Sequence, residues 1–198
     1  MKYGELNLGQ IEALVNKLGG MDAVKQILSE TAKVVVEKVK EVLLQLVATV
    51  SVAARTTKFV VAKELSVGDH DGLKIAHWSD NFKELFGDRV EEPTAGSELI
   101  ILRLTRYAYD TEIVADLGGD AKAGTTLSEF KVLLAKQGNG QKGNLLTNGY
   151  ANIAYIRDVN NVLRVVCGHW DGGGWRLDAG SIDDPSRWND DYQVVSRK

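Results

Sequence analysis

A single cysteine, Cys167, in a chain of 198 residues excludes an intrachain disulfide framework. The N-terminus has no basic segment leading into a continuous apolar stretch of secretory type, and the two absences together point to the cytoplasm. Neither sign of charge is in large excess: 24 Lys and Arg stand against 27 Asp and Glu, with a pI near 5.7. No global field therefore draws in a polyanion, and nucleic acid is not an expected partner. The uncharged run at 42–54 is shorter than a membrane span, and Glu37, Lys38, Lys40 and Glu41 interrupt the wider apolar region at 34–54. That region reads as core, with no membrane partner. The glycine-rich segments 138–143 and 171–174 lack the Gly-Lys-Ser/Thr ending of a phosphate loop and read as loop and hairpin glycines. There is no Cys-x-x-Cys pair to join Cys167 and His169 as zinc ligands. Asp183, Asp184, Asp190 and Asp191 lack the alternation and bidentate glutamate of a calcium loop. No metal or cofactor is implied.

What is present is an ordinary globular composition, 44% apolar and 26% charged, sufficient for a substantial core. Asn7 with Gln10 forms a capping-box pattern, and Leu8, Ile11, Leu14, Val15 and Leu18 recur at helical spacing up to Gly19-Gly20. Met21, Val24, Ile27 and Leu28 repeat the stripe, and a further helical piece is expected through Val35, Val39, Val42 and Leu43 or Leu46. Alternation at 49–52, then Phe59, Val60 and Val61, suggests a hairpin. A turn at 68–72, a strand at 73–78 and a helix capped by Ser79 follow. After the linker-like loop 91–96, Leu99 to Leu102 is continuously apolar, as in a strand buried on both faces. Helices are expected over 111–117 and 127–136, the second opened by the capping box of Thr126 and Glu129.

The opening 6–20, the block Leu145-Leu146-Thr147-Asn148-Gly149-Tyr150-Ala151-Asn152-Ile153, Tyr155-Ile156-Arg157-Asp158 and the ending at 194–197 resemble a group of uncharacterised small bacterial proteins. The resemblance covers most of the chain and implies kinship but no mechanism. Members of that group tend to carry Asn-Gly where this chain has Asn160-Asn161, and asparagine also accepts a positive φ.

From 144 onward the chain reads as strand and turn in succession. A two-residue turn at Asn160-Asn161 would set Ala154 against Cys167 and Asn152 against His169, and a four-residue loop at 171–174 would set Trp170 against Trp175. One face then carries Ile153, Tyr155, Val166, Trp170, Trp175 and Leu177. The other gathers Asn152, Cys167, His169, Arg176 and Asp178. Cysteine, histidine and a carboxylate are the parts of a thiol nucleophile with its base and orienter. Against that, Arg176 opposite His169 disfavours the imidazolium. Trp170, Trp175, Trp188 and Tyr192, with nearby carboxylates and amides, are also the parts of a groove for a sugar or peptide.

The expected fold is α+β: N-terminal helices, a mainly antiparallel sheet with helices packed on it, and a C-terminal meander. Its organisation is a helical and hairpin region at 1–92 and an α+β region at 97–198, or one domain. The leading function is a non-catalytic binding or protein-interaction module for a protein or small-molecule ligand, acting through the C-terminal sheet. A hydrolase using Cys167, His169 and Asp178 or Asn152 is the alternative. An assembly protein associating through 34–52 is the third.

Overall fold

The computed structural model describes residues 6–34 and 42–198. The chain falls into two compact units, one ending at Glu41 and the other spanning Val42–Lys198. In the first, α1 (Leu8–Lys17) starts at Asn7, which exchanges hydrogen bonds with Gln10 at 2.9 Å in each direction. Gly19 and Gly20, at φ 95° and 87°, turn the chain into α2 (Met21–Leu28). Neither helix contains a buried residue. The hydroxyls of Ser29 and Thr31 donate to the carbonyl of Gln26 and close α2. The helix expected beyond Ser29 does not run through 29–34, its middle lies outside the described residues, and its end at 44–46 is strand.

The second unit begins with β1 (Leu44–Val52), followed by β2 (Phe59–Val60), α3 (Val61–Glu64), β3 (Gly68–His70), β4 (Leu73–Trp78), α4 (Asp80–Phe86), β5 (Val90–Glu91) and β6 (Ser97–Leu104). Next come α5 (Asp110–Asp116), α6 (Asp120–Ala123), β7 (Gly124–Thr125), α7 (Leu127–Ala135), β8 (Asn152–Arg157), β9 (Leu163–Trp170), β10 (Trp175–Ser181) and β11 (Gln193–Arg197). Eight strands lie in the order β1-β6-β11-β8-β9-β10-β4-β3, with β7 beside β8, and β2 and β5 form a separate ribbon. The α+β class and the C-terminal strand run are as expected. Pairing is antiparallel except at β11/β8, β10/β4 and β7/β8. The meander is β8-β9-β10, and β11 crosses back to lie between β6 and β8.

The hairpin expected from 49–61 does not form: β1 pairs with β6 instead, Val50 against Leu99, and β2 pairs with β5. A continuously apolar strand offers β1 far more area to bury than a two-residue strand does. The sheet also crosses the loop at 91–96, which is therefore internal to one unit. Both faces of β6 are covered. Leu99 and Ile101 join Phe82, Phe130 and Trp175 on the side of α4 and α7, whereas Leu102 and Leu104 join Ile113 and Tyr155 on the side of α5. No helix among the described residues is long and apolar enough to cross a membrane.

The β9–β10 loop gives the expected register, Trp170 against Trp175 and Val166 against Ala179. The β8–β9 register is one residue away from expectation, with Ile153 opposite Cys167 and Asn152 opposite Gly168. The turn is longer than two residues. The Asp158 N–H donates to the Val162 carbonyl at 2.9 Å and its carbonyl accepts from the Asn161 N–H at 3.0 Å. Asn161 sits at φ 62°, the geometry of a type I turn followed by a left-handed residue. The Asp158 carboxylate fixes this turn by accepting the N–H groups of Asn160 and Val162 and the Arg164 guanidinium at 2.8, 3.0 and 2.9 Å. Asn161→Gly is expected to be neutral or stabilising by a few tenths of a kcal/mol, and Asn161→Val to destabilise by about 1–2 kcal/mol. Urea unfolding midpoints check both, and a Val variant as stable as the parent would contradict the left-handed assignment.

Candidate functional site

The shift of one residue redistributes the C-terminal side chains, because strand side chains alternate between faces. Ile153 and Tyr155 move away from Trp170 and Trp175. Asn152 moves the other way, and its side chain is occupied by Leu146 and by the Gly168 carbonyl, so it does not orient His169. Cys167, His169, Arg176 and Asp178 remain on one face, with Asp178 opposite Cys167 and Arg176 opposite His169. Burial, then the charges of Asp110 and Asp178, push the Cys167 thiol up, while burial and Arg176 push the His169 imidazolium down. Both groups are thus biased toward neutral forms, the reverse of an activated thiolate–imidazolium pair.

The aromatic candidates also separate. Trp175 is wholly buried, its indole N–H donates to the Gln137 carbonyl at 3.1 Å, and Trp170 packs edge-on against it with ring centroids 5.7 Å apart. Both belong to the core on the α4 and α7 side. Trp188 and Tyr192 lie on the other side, 5.1 Å apart between ring centroids, in the segment between β10 and β11.

There they border a cleft of about 330 Å³ whose lining includes Asp110, Cys167, Asp178, Asp184, Arg187, Trp188 and Tyr192. Its geometry follows from one local pairing. Ala108 and Trp188 exchange backbone hydrogen bonds of 3.0 and 2.9 Å, which clamps the β10–β11 segment against the start of α5. Asp110, the first residue of α5, then stands beside the Trp188 indole, and its Oδ1 accepts that N–H at 2.8 Å. The same oxygen accepts the Tyr155 hydroxyl from β8 at 2.7 Å. Oδ2 takes no hydrogen bond among the described residues. Asp110 is only 2% exposed, and burial raises its pKa above the ordinary aspartate value despite the Tyr155 and Trp188 hydrogen bonds, with Asp184 adding to the rise.

The rest of the rim is polar. Asp178 on β10 accepts the Ser79 hydroxyl at the start of α4, and Asp184 accepts the Ser186 N–H at 2.7 Å. The Arg187 guanidinium lies over the exposed rings of Tyr107 and Tyr109, at 5.9 and 5.6 Å from their centroids. No group of three or more His, Cys, Asp or Glu side chains among the described residues is disposed to hold a metal ion. Of the residues singled out in the sequence, Cys167, Asp178, Asp184, Trp188 and Tyr192 meet in this cleft, and His169, Trp170 and Trp175 do not line it. Asp110 carried no local signal, since an acidic first residue is common in helices and its partners lie 45 and 78 residues away. Compared with family models, with curated proteins and with solved structures, the chain finds no match in any of the three.

Proposed function

We propose that the chain is a binding module whose site is the cleft between the C-terminal sheet and the β10–β11 segment, and that its ligand is a small molecule. The observation that carries this reading is Asp110: a carboxyl group almost removed from water, fixed through one oxygen by two donors, with its second oxygen free of hydrogen-bond partners among the described residues and the side chain lining the cleft. Such a group costs stability unless something compensates it, and an oriented acceptor in a concave, aromatic-walled site is the arrangement by which a ligand is held and selected. Binding is favoured over turnover because burial biases the Cys167 thiol toward its protonated form and His169 does not line the cleft.

A ligand that prefers the native state raises apparent stability by mass action. A thermal-shift screen of the purified protein against small-molecule classes is therefore expected to give a reproducible rise with one of them. Trp188→Ala is expected to remove that rise, since it deletes both a wall of the cleft and a donor to Asp110. A shift that survives Trp188→Ala unchanged would place the ligand elsewhere.

A further inference from the structure

Resting on the reading of this cleft as a binding site, we infer that its ligand is an organic cation, a primary ammonium group carried on a flat body. Three carboxylates, Asp110, Asp178 and Asp184, face the cleft against one guanidinium, and that guanidinium already lies over Tyr107 and Tyr109. The carboxylates are not gathered closely enough to hold a metal ion together. Spread carboxylates suit a cation that brings several N–H donors of its own, and a charged donor to Asp110 Oδ2 makes a stronger bond than a neutral hydroxyl does. Trp188 and Tyr192 supply the remaining element: ring faces and edges against which an apolar body packs and toward which a cation is attracted. A neutral sugar would satisfy Oδ2 but leave the carboxylates of one small cleft uncompensated. An anion would meet them directly.

The test uses three probes of one shape and different charge: benzylamine, benzyl alcohol and benzoate. Each is titrated into the ¹⁵N-labelled full chain while the Trp188 indole N–H resonance, assigned with Trp188→Phe, is followed. Benzylamine is expected to move that resonance saturably, benzyl alcohol to bind roughly tenfold more weakly, and benzoate not to bind. Asp110→Asn keeps an oxygen for Tyr155 and Trp188 while removing the charge, and is expected to weaken benzylamine roughly tenfold with a melting temperature at or above the parent's. Asp184→Asn, at an exposed position, supplies a variant whose folding is not in question and is expected to weaken benzylamine a few-fold. Equal affinity for the alcohol and the amine, or an amine affinity unchanged in both variants, would overturn the cation inference and leave a binding cleft of different preference. A Trp188 resonance unmoved by all three probes at about 10 mM would overturn the binding reading as well.

Discussion

Replacing Glu129 with alanine is expected to lower the free energy of unfolding by about 2–4 kcal/mol, read from urea denaturation. Glu129 is the third residue of α7, 2% exposed, and its carboxylate joins three elements. One oxygen accepts the Ser97 hydroxyl of β6 at 2.6 Å and the Arg197 guanidinium of β11 at 2.9 Å, and the other accepts the Thr126 N–H at 2.9 Å. Removing it unties the helix from both strands. The figure stays below that for an orphaned buried ion because Arg197, 42% exposed at its side chain, can return to water. Burial by itself would raise the Glu129 pKa, but the Arg197 and Ser97 hydrogen bonds and the Arg197 charge hold it below the ordinary glutamate value. A depressed carboxyl contributes stability above its unfolded pKa and loses it as pH falls through the folded one. Glu129→Gln should therefore flatten the acid limb of the stability profile. Asp110 acts in the opposite sense: its raised pKa means that its cost is relieved as pH falls, so Asp110→Asn should steepen the same limb. An acid limb unaltered by Glu129→Gln would contradict the assignment.

Trp175→Ala is expected to cost about 3–5 kcal/mol, the range for deleting a buried aromatic side chain from a packed core. The ring has no exposure, and the cavity would open beside Trp170. The neighbouring wall is closely packed, since an added Cβ at Gly140 would stand 2.1 Å from the Trp170 ring. Trp175→Phe should cost less, since it refills most of the space and forfeits chiefly the hydrogen bond to Gln137. A loss of under about 1 kcal/mol for the alanine variant would place Trp175 outside the core.

Elements defined by local chemistry were legible in the sequence. Asn7 with Gln10, Ser79, and Thr126 with Glu129 cap the helices they were expected to cap, and the apolar run in β6 is covered on both faces. What failed depended on choices that the local sequence leaves open. β1 had to choose among partners, and the better partner lay some fifty residues away, Val50 against Leu99. The β8–β9 register turned on whether Asn160-Asn161 was the whole turn. Asp158 followed by a left-handed asparagine three residues later was the available signal for a longer one. Because one residue of slip exchanges faces, that choice decided the site: it removed Asn152 from Cys167 and brought Tyr155 to Asp110. Cys167, Asp178, Trp188 and Tyr192 were legible as chemistry-bearing residues. Asp110 was not, because its surroundings are assembled only when three distant segments converge.

The position of β11 bears on how the molecule can be made. Residues 193–197 come after every other strand, yet they sit inside the sheet, with β6 on one side and β8 on the other. The β1-β6 pair and the β8-β9-β10 meander share core side chains, but no strand ladder connects them until this segment is in place. Until then two strands with unsatisfied backbone edges face solvent, and each is a template for a foreign strand. Translation cut short before residue 193 would thus yield an adhesive chain rather than a slightly shortened protein.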